Sequence, residues 1–397
     1  MSSSAENTRN LDCLQVPDES GDGGSNAGGG SSSMVSGETG GSRERRWDDP
    51  PEEKPPPDLG PTTTMILVKK NKFDGRAAHD IEEMHFTLDD KHLIIRLTTT
   101  ANNTSWASNQ TSDIVIVEVR DVRRRAFRLY TAHSPEGRSH CTFSPGPGIP
   151  ALALITLYDH MPRLEVFDIV HDRRRLKTAE LPILPPLAFS PGGDLLAGVS
   201  RRNSSRILVA DVRTSSQRPS IVQHINMHTS PISHLMVTPD GTAIVSASHD
   251  GSIRMTSLQT GRTLRKAEVE TRVPASIVRV SADGEIVASV WGRNVFVWKL
   301  KLDQLSMYNL DQVRQTEGWP LAISPNCQLL VCRTEDGVDV LDLETGLFRA
   351  DWPMPPGHPT VSTAAVSHDG RWVTLGDYDG RVTVLEVITV SESVYGV

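Results

Sequence analysis

Long hydrophobic runs are missing from this sequence, and so are most of the groups on which cross-linked or catalytic proteins depend. No run approaches the roughly 20 apolar residues that a bilayer-crossing helix needs, which argues against a helical membrane protein. The amino-terminal MSSSAENTRNLDCL has none of the apolar stretch a secretory signal carries. Cysteine is scarce: Cys13, Cys141, Cys327 and Cys332 are too few and too irregularly spaced for a disulfide framework or a zinc site, and no Cys-x-x-Cys occurs. A reducing cytoplasmic or nuclear setting is the expectation. There the Asn-x-Ser/Thr sequons at Asn102, Asn103, Asn109 and Asn203 are chance features of Ser/Thr/Asn-rich loops.

Catalytic signatures are equally lacking. There is no Gly-x-Ser-x-Gly elbow, no His-Glu-x-x-His, no Walker phosphate loop and no strand-to-helix Gly-x-Gly-x-x-Gly. Gly146-Pro147-Gly148 imitates a fragment of the last, but its proline and β context make it a turn. Asp377-Tyr378-Asp379-Gly380 begins like a calcium loop without the remaining ligands. His249-Asp250 and His368-Asp369 sit in turns, where adjacent side chains point apart. The expectation is a protein without enzymatic chemistry, cofactor or metal.

Charge is unevenly placed. Residues 1–62 hold 10 Gly, 10 Ser and 7 Pro with 12 acidic against 5 basic side chains, a charge of −7 out of −8 for the whole chain. So little apolar surface cannot offset the entropy of ordering the segment, and a disordered acidic tail is expected over 1–62, with one folded domain over 63–397.

What is present is a repeat. Seven times an apolar strand, a polar turn, a second strand, a loop and a third strand ending on a characteristic pair follow one another. The turns fall at Leu88-Asp89-Asp90, Ser144-Pro145-Gly146, Ser190-Pro191-Gly192, Pro239-Asp240-Gly241, Ala282-Asp283-Gly284, Ser324-Pro325-Asn326 and His368-Asp369-Gly370, spaced by 57, 46, 48, 43, 43 and 43 residues. An all-strand period in the forties predicts a propeller, because a four-stranded blade cannot bury both its faces until neighbours stack on it. The fold class is therefore all-β, a seven-bladed β-propeller. In the clearest unit, His228 to Gly261, strands are expected around Ile232–Val237, Ala243–Ser248 and Ile253–Leu258, joined by Asp-Gly turns whose glycines tolerate positive φ.

This unit resembles a WD-repeat of the β-transducin type. The resemblance implies that His228, Ser246 and Asp250 form a buried hydrogen-bonded set, with Thr256 standing where the family places Trp. The pairs closing the seven third strands read Val117-Glu118, Phe167-Asp168, Ala210-Asp211, Thr256-Ser257, Trp298-Lys299, Leu341-Asp342 and Leu385-Glu386, so the Trp-Asp ending is never complete. The chain thus looks like a divergent WD-repeat protein of no particular subfamily. In that family an amino-terminal strand completes the last blade, which assigns Thr64–Lys70 a place beside Val382–Val387.

Hairpin identity then sorts residues in space, since alternate connections of a blade emerge on opposite faces. The third-to-fourth-strand connections carry Arg120, Arg123, Arg124 and Arg125, then Arg173, Arg174 and Arg175, then Arg262 and Arg265, a basic rim fit for an acidic protein, an anionic lipid headgroup or RNA. The opposite face offers Trp106, Tyr158, Arg201, Arg202, Trp291, Arg293, Trp319 and Tyr378, residue types that anchor protein interfaces. A non-catalytic protein-interaction scaffold is the leading expectation. A substrate receptor of a cullin-type ubiquitin ligase is the alternative, drawn from Ala210-Asp211-Val212-Arg213 and Val117-Glu118-Val119-Arg120, which resemble the Trp-Asp-x-Arg of such receptors. Anionic-ligand binding, to a phosphoinositide or RNA, is a further alternative.

Overall fold

The repeated phrase resolves into seven four-stranded antiparallel sheets in a computed structural model that describes residues 63–72, 79–87, 90–100, 110–119, 127–134, 139–143, 151–158, 161–168, 173–179, 181–213, 219–269, 271, 273–310, 318–354 and 360–389. Numbered along the chain, the inner strands of blades 1 to 7 are His79–Phe86, Ser139–Phe143, Ile183–Phe189, Ile232–Val237, Ala275–Val280, Trp319–Ile323 and Val361–Val366. In blades 1 to 6 the order from inside to outside is the order of the sequence. Each blade packs on the next, and blade 7 packs on blade 1, so the ring is closed.

The turn after each inner strand explains the repeated motif. In blades 4 to 7 the hydroxyl of Thr238, Ser281, Ser324 or Ser367 donates to the side-chain oxygen two residues on, at Asp240, Asp283, Asn326 or Asp369, over 2.5–2.6 Å. The same hydroxyls accept the backbone N–H five residues on, at Ala243, Ile286, Leu329 and Trp372. Ser190 in blade 3 and Thr87 in blade 1 repeat the second contact, to Leu195 and His92. One small polar side chain thus substitutes for backbone pairing where the strand must reverse. Gly241, Gly284 and Gly370 follow with φ of 71°, 71° and 70°, which side-chain-bearing residues avoid.

The core is a set of seams rather than one centre. Leu164 and Val166 of blade 2 meet Phe189 and Leu208 of blade 3; Val199 and Val209 of blade 3 meet Leu235 and Ile244 of blade 4. Val245 and Ile253 meet Val278 and Trp298 between blades 4 and 5, and the pattern continues through Val297 with Leu330, Val340 with Val373, and Ile95 with Val384. Because both faces of a sheet are covered, middle strands lose polar/apolar alternation; Ala243–Ser248 is buried at every position. Small residues let such sheets approach closely. A Cβ on Gly376 would stand 2.6 Å from Ile81 across the seam between blades 7 and 1.

That last seam joins the two ends of the chain. Thr63–Lys72 is the outermost strand of blade 7, antiparallel to Arg381–Thr389, with Thr63 opposite Thr389 and Lys72 opposite Arg381. Ser362 donates to the Ile81 carbonyl at 2.6 Å, and Asp90 accepts from the His368 amide and sits 2.9 Å from its ring Nδ1. The acidic segment 1–62 lies outside the described residues. A truncation lacking residues 1–62 retains the closing strand and is expected to stay monodisperse. Removing residues 1–72 bares the edge of Arg381–Thr389 and is expected to give aggregation on size-exclusion chromatography. Identical behaviour of the two would remove the closing strand from its proposed role.

Candidate interaction surface

In blade 4 the structure brings together the three residues that the sequence singled out. His228, in the link before the inner strand, places Nε2 2.8 Å from Ser246 Oγ and Nδ1 2.9 Å from Asp250 Oδ2. The carboxylate can only accept, so Nδ1–H donates to it and Nε2 accepts from the serine hydroxyl. Asp250 also takes the Thr229 amide at 3.1 Å, the Ser252 amide at 3.0 Å and the Ser252 hydroxyl at 2.6 Å. Burial lowers the basicity of His228 despite the neighbouring carboxylate, keeping the ring neutral. Burial would raise Asp250, but hydrogen bonds from Ser252, His228 and Thr229 outweigh it and hold the carboxyl at about 2.

Serine, histidine and aspartate in this order also make nucleophilic triads. Here Ser246 is only 1% exposed, so no substrate carbonyl reaches its hydroxyl, and the three residues act as a brace between the second strand, the turn after it and the link from blade 3. Thr256 is fully buried where WD-repeats place Trp, and its hydroxyl finds no hydrogen-bond partner among the described residues.

Two of the acidic residues that close third strands, Asp342 and Asp211, are turn caps. Asp342 accepts the Glu344 and Thr345 amides at 2.9 Å each and a two-pronged contact from Arg349 at 2.7 and 2.9 Å. Asp211 accepts the Arg213 amide at 3.0 Å and the Arg213 guanidinium at 2.6 Å, so the fork of Arg213 is turned back on its own strand end.

The connections between second and third strands, together with the links between blades, share one face. Trp319 starts the inner strand of blade 6 there and is 49% exposed. Arg293, in the hairpin of blade 5, lies with its guanidinium carbon 5.1 Å from the indole centroid and donates to the Gly318 carbonyl at 3.4 Å. Arg333, directly opposite Trp319 in the strand register, lies 5.9 Å from the same ring and donates to the Val361 carbonyl of blade 7 at 3.0 Å. Each arginine therefore ties two blades while holding the indole, each contact worth about 0.5–1 kcal/mol at an exposed site. Arg333 was missed in the sequence; its signal was a cation ending a second strand just before the Thr334–Asp336 turn.

On the same face Arg201 and Arg202 are exposed in the hairpin of blade 3, and Tyr378 is exposed in that of blade 7. Trp291 does not join them. It is 1% exposed, packs in the seam between blades 4 and 5 and donates from Nε1 to Ser289 at 2.9 Å, because a large ring at that strand end fills the seam. Trp106 lies outside the described residues, and Tyr158 ends the second strand of blade 2, Ala151–Tyr158.

The basic rim is also redrawn. Arg173, Arg174 and Arg175 open the outer strand Arg173–Ala179 rather than occupying a connection, and Arg265 lies within the outer strand Thr263–Glu268. An outer strand pairs along one edge only, so long charged side chains fit there without cost and discourage strand addition. Arg265 approaches Asp303 of blade 5 at 3.6 Å. Arg262 keeps its place in the third-to-fourth connection, exposed. Arg120, Arg123, Arg124 and Arg125 lie outside the described residues. Among the described residues no group of three or more His, Cys, Asp or Glu is placed to hold a metal ion, and no helix is long and apolar enough to cross a membrane.

Closed sheets, turn caps and a braced blade define the class as a seven-bladed β-propeller with loop-borne surfaces. A sequence model of the family described as "Anaphase-promoting complex subunit 4 WD40 domain" matches residues 187–294, from the inner strand of blade 3 into blade 5. "SEC12-like protein 2" of Arabidopsis thaliana is 22% identical over 156 residues, covering 38% of this chain and 39% of that protein. Over these stretches the chain is similar to WD-repeat proteins, and its seven closed four-stranded sheets give it the propeller fold.

Two expectations follow from the brace. Thr256→Val, which keeps the shape and removes the unpaired hydroxyl, is expected to raise stability by about 1 kcal/mol in denaturant unfolding, whereas His228→Ala is expected to cost about 3 kcal/mol. Thermal midpoints should be flat above pH 6.5 and fall below it, because the fold favours the uncharged His228 that the unfolded chain would protonate. A second decline should follow as pH drops from 3.8 toward 2 and Asp250 is protonated. A midpoint that rises on acidification through pH 6 would contradict this arrangement.

Proposed function

We propose that this propeller is a non-catalytic platform for protein assembly, and that its working surface is the face bearing Arg293, Trp319 and Arg333. The observation that carries the reading is a large aromatic ring left 49% exposed yet clamped on a closed scaffold by two arginines. A ring already fixed loses little freedom on binding, so its burial is converted into affinity with a small entropic penalty. Tryptophan and arginine are also the residue types that dominate interface energetics. The matching family model is named for a subunit of a multiprotein complex, which agrees with an assembly role.

The cullin-receptor reading gains no support from Ala210-Asp211-Val212-Arg213, since Asp211 engages the arginine on which it depends. Binding of RNA or anionic lipid through the rim is weakened by the pairing of Arg265 with Asp303.

Proximity labelling of the wild-type protein beside Trp319→Ala and beside the double variant Arg293→Glu with Arg333→Glu tests the proposal. Loss of the same set of neighbours from both, with the thermal midpoint of Trp319→Ala nearly unchanged, is the expected outcome. For an isolated partner, Trp319→Ala is expected to weaken binding by about 2 kcal/mol, some thirtyfold. Retention of all neighbours, with loss instead on reversing Arg173, Arg174 and Arg175, would move the working surface to the opposite face.

A further inference from the structure

Trp319 is the middle of a short arc that crosses two seams of the ring. The indole is held from blade 5 by Arg293 and from its own blade by Arg333, and Arg333 passes on to the Val361 carbonyl at the start of blade 7. The carbonyl one residue earlier, that of Thr360, accepts the amide of Tyr378 at 3.4 Å. The hairpin of blade 7 is thereby fastened to the same short stretch that receives Arg333. Trp319 and Tyr378 are 49% and 50% exposed. Two half-exposed aromatic residues on neighbouring blades are therefore carried by elements that one guanidinium joins.

Arg333 has donors to spare. Its Nη1 bonds to Val361 and its guanidinium carbon lies over the indole; among the described residues it forms no ion pair and no second hydrogen bond. The acids of its own hairpin are directed elsewhere. Glu335 and Asp336 are exposed, and the Asp336 carbonyl accepts the amide of Met354, which follows the outer strand Phe348–Pro353. That contact draws the tip of the hairpin toward the rim, whereas Arg333 leans to the inner strand of blade 7, Val361–Val366. Asp379, next to Tyr378, lies 3.8 Å from Arg381 of the same hairpin. The arc thus presents a cation on the lumen side and carboxylates on the rim side.

We propose that this arc receives an extended segment of a partner protein, one that carries a single carboxylate between two apolar side chains at positions i and i+3. The inference rests on the assignment of the working surface to the Trp319 face and adds the chemistry of what docks there. The apolar side chains cover the Trp319 and Tyr378 rings, and the carboxylate takes the open side of the Arg333 fork. Packed sheets stand about 10 Å apart, and three residues of polyproline-type chain cover about 9 Å while returning to the same face. Rings on adjacent blades are matched by that spacing. Arg293 and Arg333 disfavour a basic segment, while Glu335 and Asp336 disfavour a run of acids. One negative charge set among apolar residues is the composition that fits.

The test titrates dye-labelled peptides Ser-Leu-Pro-X-Leu-Ser, with X as Glu, Gln or Lys, with the full chain at fixed ionic strength, beside a labelled single-stranded oligothymidine. Anisotropy is the readout. The Glu peptide is expected to bind about tenfold more tightly than the Gln peptide, and the Lys peptide most weakly. Arg333→Glu should reverse the order, favouring Lys over Glu, an outcome that a misfolded variant cannot give. If it binds no peptide, Arg333→Lys decides, since it keeps the charge and must keep the preference for Glu over Gln. Tyr378→Ala, which shortens an exposed side chain, should weaken the Glu peptide about tenfold while its thermal midpoint stays that of wild type. Equal affinity for the Glu and Gln peptides, binding of none of the three by wild type, an unchanged order in Arg333→Glu, or tighter binding of the oligothymidine would overturn the proposal. The proximity-labelling comparison is independent of these peptides. Neighbours lost from Trp319→Ala together with charge-indifferent peptide binding would leave the face standing and remove this ligand alone, whereas neighbours retained in Trp319→Ala would remove the face itself.

Discussion

Two-sided burial is the constraint on which the rest of this structure depends. A sheet such as that of blade 4, whose second strand is buried at every position, has no face left to give to water. It is stable only between two other sheets of the same kind, and that requirement propagates round the chain until the last sheet meets the first. The closing seam is made by residues from opposite ends of the sequence: Thr63–Lys72 against Arg381–Thr389, Ser362 against Ile81, and Asp90 against His368. Pairing between residues so far apart in sequence carries the loop-closure cost that slows folding in proteins dominated by non-local contacts.

Within that frame, departure from the WD-repeat pattern is tolerated because the seams and turn caps share the work. The complete His–Ser–Asp brace occurs in blade 4, with a buried threonine in the place of tryptophan. Elsewhere hydroxyl-to-carboxylate turns, and acidic residues such as Asp342 that gather the amides of the following turn, give each blade local rigidity. These contacts satisfy backbone groups at the points where strands reverse, where an unpaired amide would otherwise be costly.

Rigid blades make the face bearing Trp319 of interest. The arginines flanking Trp319 each bond to a carbonyl at a strand start, so ring closure itself positions the indole.

Periodicity determined the number of blades and the turn after each inner strand, because turn chemistry and strand length are local properties written in the order of residues, while the closing strand was expected from the resemblance to WD-repeats. The His228 set was legible through the resemblance of that repeat to the WD-repeat pattern, carried over position by position. Only the tertiary structure decided which loop residues are available. Trp291 and Trp319 both sit at strand ends on one face, yet one fills a seam and the other stands in solvent, a difference set by the neighbouring blade. Arg265 reads as a rim cation until Asp303 of the next blade is beside it. Burial and charge balance depend on what arrives from other blades, and that information is spread over residues whose proximity exists only once the ring has closed.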